Sequence, residues 1–144
     1  KLFDAGPNQR HAQLFNAAWI DGRGGKVVRF NGRTSYARIP AGAPLEFGTD
    51  DEFAVSIYFR SKTGRGPLFA FRGDERENRV WVSGMFDVSR NLLGLVRSGS
   101  EFGFPSVARV FPIETKQYLD NAWHHVVLNR RPIAPFIELW VDGR

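Results

Sequence analysis

Two clusters of acidic residues offer the first candidates for chemistry in this sequence. Residues 50–52 (DDE) and 74–77 (DERE) each bring several carboxyl groups close together along the chain. A retaining glycoside hydrolase needs two carboxyls about 5 Å apart, a spacing that alternate residues of one strand supply. Both clusters lie in predicted loops and lack a Glu-x-Asp-x-Glu strand pattern. We therefore predict no catalytic residue and no enzyme, and keep glycoside hydrolysis only as an alternative.

Histidine is the second candidate for chemistry. The chain has His11 and the adjacent pair His124 and His125, and it has no cysteine. Neighbouring side chains of a strand point to opposite faces, so the pair cannot converge on one ion. We expect one of the two in the core and the other on the surface, and no histidine-based zinc site. The absence of cysteine excludes disulfides, thiolate nucleophiles and cysteine-ligated metals.

Arginine dominates the positive charge. The formal net charge is +5, and only Lys1, Lys26, Lys62 and Lys116 are lysines among the 20 basic residues. Because a planar guanidinium pairs with carboxylate, sulfate or phosphate through two parallel hydrogen bonds, an arginine-rich surface suits fixed anionic groups. A solvated surface that keeps the protein soluble accounts for the same composition. The sequence leaves both interpretations open.

The elements that must position these side chains are predicted to be strands. The 144 residues include 13 Phe, 4 Trp, 15 Gly and 8 Pro, a composition that favours an all-β domain with many turns. No stretch has the apolar period of a helix, and no apolar run approaches the length of a membrane span. The predicted strands are 26–30, 36–39, 53–60, 67–72, 79–87, 92–97, 107–111, 123–130 and 136–141.

Period-two patterns define three of these strands most clearly. In 53–60, Phe53 and every second residue after it share an apolar face, and sheets built from such strands pack face to face as a sandwich. Strands 123–130 and 136–141 flank a proline-marked loop and are expected to be antiparallel neighbours. Asp142-Gly143 then suits the positive φ angles of a hairpin turn.

The first forty residues support further expectations. Asn31-Gly32 lies between strands 26–30 and 36–39 and predicts that they form a hairpin. We interpret the glycine-rich residues 22–26 as a flexible approach to the first strand. Residues 17–19 (AAW) are the expected buried anchor of a segment that is otherwise poor in strand signal.

The order of these segments resembles laminin-G-like, concanavalin-A-like jelly-roll domains. The similar motifs are GKVVRFNG (25–32) with SYARIP (35–40), FAVSIYFR (53–60), DNAWHHVV (120–127) and LWVDGR (139–144). The resemblance implies one all-β domain over residues 1–144, an antiparallel two-sheet jelly-roll sandwich. Family members usually continue beyond the Asp-Gly turn, so we expect this chain to lack its C-terminal strands and to be part of a larger protein.

The resemblance also implies a candidate calcium site. Laminin-G-like domains often bind calcium at the rim of a sheet, through an Asp and backbone carbonyls, because hard oxygen ligands suit this ion. Asp74 is the candidate ligand here, with Asp50 and Asp51 as further candidates. The arginines of the same loop, among them Arg72 and Arg76, oppose cation binding.

Related domains bind glycans, including heparin-like anionic chains, through basic loops. We expect the same surface here if the basic loops lie along one rim. Trp81 and Trp140 are expected to stack on sugar rings if they face outward, although large aromatics in strands are more often core. Surface pairs of Arg with Asp or Glu, each worth little, are the other interpretation. The candidate basic residues are Arg60, Lys62, Arg65, Arg72, Arg76, Arg79, Arg130 and Arg131.

These expectations combine into a function. The chain is expected to be a non-catalytic recognition or adhesion domain that binds a glycan or protein partner through its loops, in an extracellular or cell-surface protein. The first alternative is a structural building block of a filament, coat or multisubunit assembly, whose open sheet edge pairs with a neighbouring segment or chain. Neither nucleic-acid binding nor membrane insertion is expected, since no stacking platform for bases and no apolar span is recognisable.

Overall fold

In a computed structural model, the chain is built from β-strands. The structure describes residues 1–40, 52–63, 66–71, 80–86, 92–100, 103–110, 118–131 and 137–144. Within these ranges there is no helix that is long and apolar enough to cross a membrane. The chain divides into two compact units, Lys1–Leu45 and Glu46–Arg144, and each is described by itself.

Eleven strands are present in the described ranges, and all of their pairings are antiparallel. The sequence predicts all of them except the first two, so the expected all-β class is confirmed. The strands are β1 (Gln13–Phe15), β2 (Ala18–Gly22), β3 (Gly25–Arg29), β4 (Tyr36–Arg38), β5 (Phe53–Phe59), β6 (Gly66–Phe71), β7 (Val80–Phe86), β8 (Leu92–Ser100), β9 (Gly103–Val110), β10 (His124–Arg130) and β11 (Ile137–Val141).

In the first unit, β2 pairs with β3 and β1 pairs with β4. The predicted hairpin of β3 and β4 is therefore wrong. The glycine-rich residues 22–26, expected to be a flexible approach, instead contain the β2–β3 turn, where Gly24 has a φ of 71°. Asn31 explains the other turn, because its Oδ1 accepts hydrogen bonds from the N–H groups of Arg33, Thr34 and Ser35 and so stabilises a wider loop.

The expected buried anchor at residues 17–19 is also wrong. Trp19 lies on β2 with 48% of its surface exposed, and Ala18 is exposed as well. Period-two alternation places Ile20, next to Trp19, on the opposite and more buried face of the strand. A tryptophan in a polar segment was therefore a poor guide to the core.

Replacing Gly22 by Ala is expected to destabilise the first unit by about 1–3 kcal/mol. A Cβ at this position would lie 2.5 Å from Cγ2 of Val27. Thermal unfolding of Gly22→Ala, Val27→Ala and the double variant measures the effect. The double variant removes the clash, so its loss of stability should be smaller than the sum of the losses of the two single variants. A loss equal to that sum would contradict this explanation.

The second unit contains a three-stranded sheet in the order β11-β10-β5 and a four-stranded sheet in the order β6-β7-β8-β9. The predicted antiparallel pairing of β10 with β11 is confirmed. Val127 of β10 lies in register with Trp140 of β11 on one side and with Ser56 of β5 on the other. This register decides which side chains share a face.

The core of the second unit lies on one face of the three-stranded sheet. Val126 and Leu128 are fully buried, and the predicted apolar face of β5 is confirmed because its exposure alternates along the strand. Leu68 and Phe69 of β6 pack against this core, so the four-stranded sheet contributes to it. Among the residues whose side chains the structure describes, the buried apolar ones are Phe59, Tyr118, Val126, Leu128, Leu139 and Val141.

The chain reverses direction immediately after β11. Asp142 and Gly143 have φ angles of 54° and 79°, which confirms the predicted pair of positive values. The N–H of Val141 donates to the carbonyl of Arg144 at 2.8 Å, and the N–H of Arg144 donates back at 3.1 Å. This two-residue turn places the Asp142 side chain beside β10.

Candidate functional site

The face of the three-stranded sheet opposite the core carries a mixed aromatic and polar surface. We call it the open sheet face. Its residues occupy alternate positions of three strands that the register brings side by side. They are Ala54, Ser56 and Tyr58 of β5, His125, Val127 and Asn129 of β10, and Glu138 and Trp140 of β11.

An aromatic pair occupies one corner of the open sheet face. The rings of Tyr58 and His125 stack with their centroids 4.2 Å apart and their planes 13° apart. Nε2 of His125 lies 2.8 Å from Oγ of Ser56, within hydrogen-bond distance. Tyr58 is 53% exposed although it is a large aromatic residue. The stack and the hydrogen bond hold this exposed ring in a defined position.

Glu138 is the centre of the opposite corner. Its Oε2 accepts hydrogen bonds from Nδ2 of Asn129 at 3.2 Å and Nε1 of Trp140 at 3.5 Å, and lies 3.7 Å from Nη2 of Arg131. Its Oε1 accepts no hydrogen bond from any residue that the structure describes. Trp140 is 46% exposed. This corner therefore presents an aromatic ring next to an available carboxylate oxygen.

His124 lies on the core side of the same sheet and links three segments. Only 3% of its surface is exposed, and its ring contacts the ring of Tyr118 edge-on. Nδ1 lies 2.9 Å from Oδ2 of Asp142, and Nε2 lies 2.9 Å from Oδ1 of Asp120. Oδ1 of Asp142 also accepts a hydrogen bond from the His125 N–H at 3.0 Å. The expectation of one core and one surface histidine is thus confirmed.

The charges of this cluster determine its protonation. Burial lowers the pKa of His124, but the hydrogen bonds to Asp142 and Asp120 and their negative charges outweigh burial, so the pKa lies above its ordinary value of 6.5. The hydrogen bond to His124, with one from the Ala122 N–H, lowers the pKa of Asp120 below 3.8. A neutral imidazole has one N–H, so only the protonated ring donates to both carboxylates. We assign this cluster a structural role.

Four of the basic residues expected on one rim lie in the described ranges, and they are found at two opposite ends of the three-stranded sheet. Phe59 pairs with His124 and Phe53 pairs with Arg130, so β5 and β10 run in opposite directions over seven residues. Arg60 and Lys62 follow one end of β5, whereas Arg130 and Arg131 lie at the other end. These four residues therefore do not share one rim, because antiparallel pairing places consecutive loops at opposite ends.

Two of the predicted basic residues lie over aromatic rings. The guanidinium of Arg60 lies 5.4 Å from the ring centroid of Trp123, and that of Arg130 lies 5.8 Å from the ring centroid of Phe53. Such contacts hold cations against aromatic faces. The expected role of these residues in ligand binding stays a prediction.

Of the other predicted site residues, two tryptophans lie in described strands and seven residues lie outside the described ranges. Trp140 is on the open sheet face, and Trp81 lies on β7 in register with Arg97 of β8. Calcium binding stays a prediction, since its candidate ligands lie outside the described residues. The predicted site residues outside the described ranges are Arg65, Arg72, Arg76, Arg79, Asp50, Asp51 and Asp74.

The sequence does not predict which residues become neighbours on most of the open sheet face. Alternation in β5 indicates that Ser56 and Tyr58 point outward, and this signal was present in the sequence. Their proximity to His125 depends on the pairing of β5 with β10, which are far apart in the sequence. Ser56 and His125, for example, are 69 positions apart. The neighbours of Glu138 likewise come from the β10–β11 register.

Comparisons of the chain with known protein families, with curated proteins and with solved structures found no match.

Proposed function

We propose that this chain is a non-catalytic recognition domain of laminin-G-like type, a jelly-roll sandwich that binds a glycan or protein partner within a larger extracellular or surface protein. The ordered motifs support this family. The antiparallel sheets of the second unit, with Leu68 and Phe69 of one sheet packed against the core of the other, support the sandwich.

The open sheet face is the observation that carries the binding function. Tyr58 and Trp140 expose large aromatic rings on the sheet face that points away from the core. Glu138 offers a carboxylate oxygen beside one of these rings. Exposed aromatics interleaved with hydrogen-bonding groups are typical of surfaces that recognise a partner.

Binding to a glycan array, to heparin and to candidate extracellular proteins tests the proposal. We expect wild-type chain to bind at least one class of ligand, and Trp140→Ala to lose that binding about tenfold or more. Trp19→Ala is the matched control, because Trp19 is equally exposed but lies in the first unit. Equal loss in both variants, or no binding by the wild-type chain, would contradict the proposal.

Calcium is varied in the same experiment. Array binding is measured with calcium and again with a chelator, and Asp74→Asn is compared with wild type. If Asp74 holds a calcium ion at a sheet rim, calcium should raise the unfolding temperature of wild type and leave that of Asp74→Asn unchanged. An identical response of the two proteins would remove Asp74 from the proposed site.

A further inference from the structure

We infer that the open sheet face binds an uncharged sugar chain, with Tyr58 and Trp140 contacting sugar rings and Glu138 accepting hydrogen bonds from sugar hydroxyls. This inference rests on the proposed recognition function and names the ligand class of that site. It differs from the expectation of an anionic ligand bound by arginine-rich loops.

The two exposed rings flank a floor of smaller side chains. Tyr58 is on β5 and Trp140 is on β11, and these strands lie on either side of β10, about 10 Å apart. Val127 of β10 is in register with Trp140 and forms the floor between the two outer strands, while Ser56 lies beside Tyr58 on β5. The apolar C–H faces of a pyranose pack on aromatic rings, whereas its equatorial hydroxyls point sideways toward polar groups.

The polar groups beside these rings suit hydroxyl groups. Oε1 of Glu138 accepts no hydrogen bond within the described part of the chain, while Oε2 is oriented by Asn129 and Trp140. A carboxylate oxygen held in this way is an acceptor for one or two hydroxyl donors. The hydroxyl of Ser56 and the ring of His125 supply further polar contacts across the floor.

Charge disfavours an anionic ligand at this position. Glu138 is the carboxylate of the open sheet face, and a sulfate or uronate placed against its Oε1 would be repelled. Arg131 already lies 3.7 Å from Oε2 of Glu138, and Arg60 and Arg130 lie at opposite ends of the sheet. Arg60, Arg130 and Arg131 therefore do not surround the two rings with positive charge.

A shallow hollow continues the face at the Arg130 end of the sheet. It has a volume of about 520 Å³, and Glu52, Ala54, Asn129 and Arg131 contribute to its lining. The hollow is lined in part by Asn129 of the open sheet face, and a second sugar unit of the same chain would lie there.

The test compares uncharged with sulfated oligosaccharides as ligands of the full chain. Uncharged probes are β-glucan, xylan, mannan and N-acetylglucosamine oligosaccharides, and heparin oligosaccharides are the anionic probe. We expect at least one uncharged probe to bind with little dependence on salt and to shift the indole N–H signal of Trp140 in NMR spectra. Trp140→Ala and Tyr58→Ala should each weaken binding about tenfold.

Glu138→Gln distinguishes the contribution of the carboxylate to binding from that of the aromatic rings. The amide keeps an acceptor oxygen but loses the charge, so we expect binding of the uncharged probe to fall severalfold and repulsion of heparin to weaken. Asp21→Asn is the matched control, since Asp21 is a strongly exposed carboxylate of the first unit. The unfolding temperatures of all variants should remain close to wild type, because these side chains are on the surface.

Each result decides the inference. Binding of heparin alone, or binding of a protein without any sugar, would overturn the inference and leave the recognition function intact. Binding of an uncharged sugar that survives both Trp140→Ala and Tyr58→Ala would place the site elsewhere and overturn it as well. Absence of binding to every sugar and protein would overturn both proposals.

Discussion

Replacing Leu128 by Ala is expected to lower the free energy of unfolding by about 3 kcal/mol. Leu128 is fully buried in the core of the second unit, between Val55 and Leu139 of the neighbouring strands. The substitution removes apolar contacts and leaves a cavity that the packed sheets fill only in part. Chemical denaturation, followed by tryptophan fluorescence, measures the loss.

A neighbouring valine pair provides the matched control. Val126 is fully buried, whereas Val127 lies on the open sheet face with partial exposure. Val126→Ala should cost about 2 kcal/mol and Val127→Ala clearly less, although the two changes are chemically identical. Equal losses would mean that the two faces of β10 are assigned incorrectly.

Replacing His124 by Ala is expected to cost about 2–3 kcal/mol. The change removes a buried ring that packs on Phe59 and Tyr118, and it leaves Asp120 and Asp142 without their shared partner. Both carboxylates are partly exposed, so water takes up some of the lost hydrogen bonding and keeps the cost below that of a fully buried ion pair. The same denaturation experiment measures this loss.

The contribution of His124 to stability should depend on pH. Its pKa is raised above 6.5 in the folded chain, so the folded state binds this proton more tightly than the unfolded state does. The stabilisation is fully present below pH 6.5 and is lost as the pH rises through the folded-state pKa. Asp120 contributes at the acidic end of the pH range, because its pKa is lowered below 3.8 in the folded chain. Its stabilisation is present above pH 3.8 and is lost as the pH falls through the folded-state pKa.

His125→Ala is the control for this pH dependence. His125 is adjacent in sequence but lies on the opposite face, and its backbone N–H can still donate to Asp142. Wild type and His125→Ala should both lose stability above pH 6.5, whereas His124→Ala should show a flatter profile there. A decline of the same size in His124→Ala would assign the pH dependence to another group.

Local patterns allow much of the second unit to be predicted. Alternation in β5 and β10 and the proline-marked loop before β11 identify the strands, their buried faces and the separation of His124 from His125. The Asp142-Gly143 turn follows from the residues themselves, since Gly has no Cβ and Asp tolerates a left-handed backbone. These properties depend on residues within a few positions of one another.

The first unit shows where local patterns fail. The short strands β1 and β2 carry weak periodicity, and Asn31-Gly32 suggested a hairpin between β3 and β4. In the structure, Asn31 uses its side chain to stabilise a wider loop, and β3 pairs with β2 instead. Turn signals identify a change of direction, but they do not determine which strand becomes the partner.

The sequence by itself determined the all-β class, most strands and the inward or outward direction of their side chains, because side-chain direction in a strand alternates with every residue. Only the tertiary structure decided that Tyr58, His125, Glu138 and Trp140 share one surface and that Arg60 lies at the opposite end of the sheet from Arg130 and Arg131. Those relations depend on strand order and register, which are set by contacts between residues far apart in the chain.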